Sequence, residues 1–130
     1  MILDPKVVAQ GWLDLRTGCL DEREKLLGAW ADELLWGASY HDARYALEIV
    51  FAIHELDPTH TAVEVFASGP VEDILTNQGA VVIDEIEARA RRDPSFAFVL
   101  GGVWQNAIPD PIWNRIVACR QQQGWDGITQ

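Results

Sequence analysis

Three carboxylates and a short aromatic–amide run are the side chains best suited to chemistry. Glu72 and Asp73 follow directly on Gly69-Pro70, and Glu87 lies fifteen residues further on. Acids just after a Gly-Pro pair read as the first turn of a helix. There a carboxylate is favoured by the helix dipole and can cap free amides. That structural role is a sufficient explanation. A catalytic carboxylate pair also needs a pocket and a shifted pKa, and a sequence displays neither. Recognition of a cation or an arginine needs only clustered negative charge. Trp104, Gln105 and Asn106 precede Ile108-Pro109-Asp110. A tryptophan at a helix end followed by amide side chains can line a pocket, or be a core residue next to a polar turn. The candidate binding residues are therefore Glu72, Asp73, Glu87, Trp104 and Asn106, and no residue is assigned as catalytic.

His54, Glu55, Asp57 and His60 are close in sequence, but their spacing across a helix end matches no metal-ligand pattern. Asp57 reads instead as a helix cap, and His54 as a residue at the edge of the core. No metal site and no cofactor are expected. The chain lacks GxSxG, a Walker phosphate loop, HExxH and CxxC. Gly101-Gly102 is only a pair, suited to close helix packing or to ending a helix early.

The formal charge is −10, unevenly spread. From Tyr45 to Ala88 there is no Lys or Arg, but nine acids. From Arg89 onward five arginines face three aspartates. Such a field repels nucleic acid and attracts a basic protein partner. Solubility alone is the plain alternative. Hydrophobic residues make up 48% and charged residues 23%, the composition of a globular domain. The longest apolar run, about Ile49 to Ile53, is far below the ~20 residues of a membrane span. The N-terminus lacks the basic start and apolar region of a signal peptide. A cytoplasmic protein is expected, with Cys19 and Cys119 as free thiols.

Prolines mark the elements that must position these residues. Asp4-Pro5, Asp57-Pro58, Asp93-Pro94 and Asp110-Pro111 each pair a strong N-cap with the residue best suited to the first helical position. Gly69-Pro70 reads as a further start. The spacing predicts helices at about 5–15, 21–36, 41–56, 58–67, 70–78, 81–92, 94–104 and 111–122. The third, apolar around nearly its whole girth, is the expected centre. Val63 to Phe66 is the one stretch with an ambiguous period. Helix stops are expected at Gly79 and Gly124. The fold class is all-α, an irregular antiparallel helical bundle or a short helical-hairpin stack. A single domain spans 1–123, followed by a loose tail at 124–130 from which Trp125 can dock. Trp30, Trp104 and Trp113 lie on or beside apolar stripes and are expected to be mostly buried.

The stretch from Gly69 to Trp113 carries Gly69-Pro70-Val71-Glu72-Asp73-Ile74-Leu75. It continues through Gly79, Ile83, Ile86-Glu87, Ala90, Asp93-Pro94, Phe96, Leu100, Val103-Trp104 and Trp113. This pattern resembles a family of small bacterial proteins known as a domain of unknown function. A weaker similarity extends to Trp30 and the third helix. The resemblance implies a helical fold and a bacterial origin, and no activity. The chain has Gln78 where the pattern often carries His, and Ala97 where it often carries Arg. The leading expectation is a small acidic protein-interaction module, of the immunity or antitoxin kind, that binds a basic partner. The alternatives are an enzyme with a carboxylate site built from Glu72, Asp73 and Glu87, or a structural oligomer subunit.

Overall fold

The fold is all-α. The computed structural model describes residues 2–18, 21–57 and 59–121, together with the backbone but not the side chains of residues 27 and 28, and it contains no strand among the described residues. The chain divides into two compact units, Met1–Ala62 and Val63–Gln130.

In the first unit, Asp4 accepts the Lys6 amide at 2.9 Å and Pro5 takes the first helical position. This starts α1 (Pro5–Thr17) as the Asp-Pro reading requires. The helix expected over 21–36 is instead two helices. Asp21 caps α2 (Glu22–Gly28), and α3 (Trp30–His41) follows after a single turn residue, Ala29. Gly28, a poor helix former, stands at the break. Asp42 then leaves the helical region at φ −147°, ψ 77°. Its amide donates to the Ala38 carbonyl at 2.9 Å, closing α3. Its carboxylate accepts the Tyr45 amide at 3.2 Å, opening α4 (Ala43–Leu56). The expected helix at 41–56 thus begins two residues late.

α4 is the centre of this unit. It buries Ala46, Leu47, Ile49, Val50 and Ile53, along with His54, and packs on α1 and α3. Trp12 of α1 is buried, with the Arg16 guanidinium 4.0 Å from its ring centroid. Arg16 forks onto both carboxylate oxygens of Asp32, each at 2.8 Å, tying α1 to α3. Gly11 makes room for this packing. A Cβ there would lie 3.0 Å from Cζ2 of Trp30 and 3.2 Å from Cβ of Ala31.

The second unit opens with a single turn, α5 (Val63–Phe66), which runs into a π-helical turn over Ala67–Val71 and then into α6 (Glu72–Arg92). The ambiguous stretch is therefore helical. Asp57 accepts the amides of Thr61 and Ala62 at 3.0 and 2.9 Å, capping the turn before α5, while Pro58 lies outside the described residues. Gly69-Pro70 is not a helix start. Pro70 sits inside the π-helical turn, where a wider loop of backbone accommodates the missing amide and the bulk of the ring. The helices expected at 70–78 and 81–92 are one helix, interrupted at Gln78 (φ −140°, ψ 30°). Gly79 does not stop it. The residue lies within α6, and a Cβ there would meet Ile112 of α8 at 3.1 Å.

Asp93 accepts the amides of Ser95 and Phe96 at 3.1 and 3.4 Å and starts α7 (Pro94–Leu100). That helix ends before Gly101-Gly102, four residues short of the expected limit. α8 spans Asp110–Cys119. Asp110 is not its cap. It lies inside the first turn, and its carboxylate instead accepts the Gln105 amide group at 2.6 Å.

The tryptophans depart from expectation. Trp104 is 57% exposed, because α7 stops before reaching it and leaves it on a loop. Trp30 is 39% exposed, because it begins α3 with one edge on Gly11 and part of the residue in solvent. Trp113 is half-buried, with the Arg120 guanidinium 5.3 Å from its ring centroid. Cys119 is a free thiol. Cys19, Gly124, Trp125 and the tail at 124–130 lie outside the described residues.

Candidate functional site

Glu72 and Asp73 stand at the start of α6, but that start is not an open helix end. The π-helical turn runs straight into it, and the Glu72 amide already donates to the carbonyls of Ala67 and Gly69. The two carboxylates therefore cap nothing there, contrary to the sequence reading. Glu72 instead accepts a hydrogen bond from the Asn106 side-chain amide at 3.0 Å. Asn106 is held at φ 40°, a left-handed conformation that asparagine tolerates better than most residues. Of the candidate binding residues, these two are joined directly. Asp73 is partly buried, and burial raises its carboxyl above the ordinary range, helped by the adjacent Glu72 charge.

Glu87 belongs to a different arrangement. Arg115 of α8 donates to both its carboxylate oxygens, from Nε at 3.2 Å and from Nη2 at 3.0 Å. The same Nη2 reaches Asp84 at 2.6 Å, and Arg91 lies 3.4 Å from Glu87. The Arg115 hydrogen bonds hold the Glu87 carboxyl below its usual range and raise the guanidinium further above its own. This clamp fastens α8 to α6 and neutralises part of the acidic run. Glu72 and Glu87, fifteen residues apart on one helix, are separated by about 22 Å at 1.5 Å per residue. The three acids do not converge on one pocket.

The irregular turn at Gln78 borders a cleft of about 400 Å³, lined by residues 76–81 and by Pro109, Pro111 and Ile112. No charged side chain lines it. Its walls suit an uncharged apolar group and supply no acid or base. Cys119 is no nucleophile candidate, because burial raises its thiol and the Glu87 charge adds to the effect. His54 and His60 have ring centroids 5.9 Å apart, yet no group of three or more metal-ligating side chains occurs among the described residues.

In the first unit the structure exposes a surface that sequence reading passed over. Glu33, Trp36, Gly37 and Tyr40 are spaced i, i+3, i+4, i+7 and share one face of α3. Trp36 is 56% exposed and Tyr40 is 43% exposed. Their rings meet edge to face, with centroids 4.9 Å apart at 71°. A helix drawn to end at position 36 cuts this face in half. The signal that could have found it is a tryptophan and a tyrosine four residues apart, with a glycine next to the tryptophan.

A family of unknown function, DUF6869, has a model that matches residues 19–124, and the chain belongs to that family. No curated protein and no solved structure matches the chain. No helix among the described residues is long and apolar enough to cross a membrane.

Proposed function

We propose that this member of a family of unknown function is a protein-interaction module for a basic partner. The observation that carries the reading is the exposure of Trp30, Trp36 and Trp104, at 39%, 56% and 57%. Tryptophan is highly buried on average in folded chains, and it is enriched at the anchor positions of protein interfaces. The charge supplies the sign of the partner. A net −10 attracts basic proteins and opposes binding to nucleic acid. In the second unit the contact residues are Trp104 and the neighbouring Glu72–Asn106 pair, with Asp73 beside them. Glu87 is held by the Arg115 clamp, which neutralises part of its charge. A cytoplasmic bacterial inhibitor of the immunity or antitoxin kind fits this size and charge.

The test is capture of partners from the native host on immobilised full-length chain at low salt, followed by identification and re-measurement with the purified partner. A basic protein whose affinity falls as salt rises from about 0.1 M to about 1 M supports the reading. Capture of no basic protein, or an affinity indifferent to salt, rules it out. Glu87 is a poor choice for charge reversal, since changing it breaks the clamp between α6 and α8.

A further inference from the structure

We propose that the exposed face of α3, formed by Glu33, Trp36, Gly37 and Tyr40, docks an arginine-bearing segment of that basic partner. The inference rests on the interaction reading above and gives it a location in the first unit.

Three features converge on this face. The first is a glycine with no internal reason. Glycine in the interior of a helix weakens it relative to alanine. Gly11 and Gly79 each make room for a neighbour, since a Cβ would lie 3.0 Å from Trp30 in one case and 3.1 Å from Ile112 in the other. At Gly37 a Cβ would meet nothing within 4 Å. The space left by its missing side chain is open, at the edge of the face beside Glu33 and Tyr40. It leaves the helix backbone open to close approach from outside.

The second feature is the chemistry beside it. The Trp36 ring is more than half exposed, and among the described residues its indole N–H has no acceptor and no cation lies over it. Glu33, one turn before it and exposed, has no ion-pair partner among the described residues. An aromatic face next to a carboxylate is the combination that a planar guanidinium matches, by stacking and by charge-assisted hydrogen bonding together. The chain already contains this arrangement internally. Arg16 stacks on Trp12 at 4.0 Å and forks onto Asp32 at 2.8 Å. Asp32 and Glu33 are sequence neighbours about 100° apart around the helix, Asp32 half-buried and Glu33 exposed. The first completes the internal Trp–Arg–carboxylate set, and the second stands exposed one turn from Trp36.

The third feature is charge, which chooses between occupants. Residues 1–62 carry eleven acids against five bases. A second copy of the chain would bring the same excess of negative charge to the face, whereas a basic segment removes it.

The experiment is a titration of the full-length, ¹⁵N-labelled chain with capped tetra-arginine and tetra-lysine peptides at low salt, followed by NMR. The Trp36 indole and Gly37 amide signals should move most, with tetra-arginine binding several-fold tighter than tetra-lysine. Trp36→Ala and Gly37→Leu should each weaken tetra-arginine binding by about tenfold, as expected for loss of an anchor contact. Trp36→Tyr, which keeps an aromatic face, should retain most of it. Val117→Ala, an exposed change in the other unit, should bind as the unaltered chain does. Circular dichroism of every variant should match that of the unaltered chain. If the shifts gather elsewhere, or Trp36→Ala binds tetra-arginine undiminished, the α3 site is wrong while the basic-partner reading stands. If neither peptide moves any signal, both fall. If the chain self-associates and Trp36→Ala abolishes this, the face belongs to a second copy and the proposal is overturned.

Discussion

Asp73 and Gly37 show how single positions part from what a sequence pattern suggests. Asp73 has the look of a helix-starting acid, yet its carboxyl is raised by burial and by Glu72. The folded state therefore favours its neutral form. That contribution to stability is complete below the ordinary carboxyl value and is lost as pH rises through the raised folded value. Asp73→Asn is accordingly expected to raise the urea midpoint at neutral pH and to leave it unchanged near pH ~3, where the native residue is already protonated. Equal midpoints at neutral pH would show that the burial has no energetic consequence. Gly37→Ala should stabilise the chain by about 0.5–1 kcal/mol, since a Cβ is accommodated and the helix gains propensity. A substitution that stabilises the fold but weakens tetra-arginine binding would mark the glycine as a contact position. Loss of stability instead would reveal a close neighbour around α3.

At the scale of elements, much was legible where one side chain decides a boundary. Asp4, Asp42 and Asp93 each accept first-turn amides at helix starts, and a carboxylate does this wherever the chain turns into a helix. Asp93→Ala is expected to cost about 0.5–2 kcal/mol in chemical denaturation, with the loss centred on α7. A change within ~0.3 kcal/mol would mean that the cap is replaced by solvent. Illegible were the features set by tertiary contact. Pro70 could be read as a start because nothing local shows that a π-helical turn will carry it. Gly79 could be read as a stop because Ile112, which fills its missing side chain's space, lies thirty-three residues away. Trp104 could be read as core because the early end of α7 is not announced by its apolar stripe. Of the candidate site, the Glu72–Asn106 pair had both members named from sequence without a reason to join them. The α3 face is not legible in the sequence because a helix predicted to end at position 36 leaves Gly37 and Tyr40 outside it.

For the molecule as a whole, charge is the most transferable prediction. In the second unit the acids of the base-free run are partly neutralised, because Arg115 returns from α8 to pair with Asp84 and Glu87. The first unit keeps the larger excess, eleven acids against five bases. Association with a basic partner is therefore expected to slow with added salt chiefly through the on-rate, as the Debye length falls from ~10 Å at 0.1 M to ~3 Å at 1 M. Stopped-flow mixing at several ionic strengths measures this directly. A rate flat across that range would leave apolar contact as the sole driving force.

α6 carries a consequence of a different kind. An uninterrupted helix of 21 residues resists opening as one cooperative rod, but this one has a π-helical turn at its head and a non-helical residue, Gln78, a third of the way along. Such defects divide a helix into segments that open independently. Amide hydrogens from Gly79 to Arg92, pinned by α7 and α8, should exchange with deuterium slowly and together. Those from Ala67 to Gln78 should exchange sooner, at a rate set by the short segment between the two defects. The same helix would then keep two clocks, with the border between them one residue before the glycine that Ile112 covers.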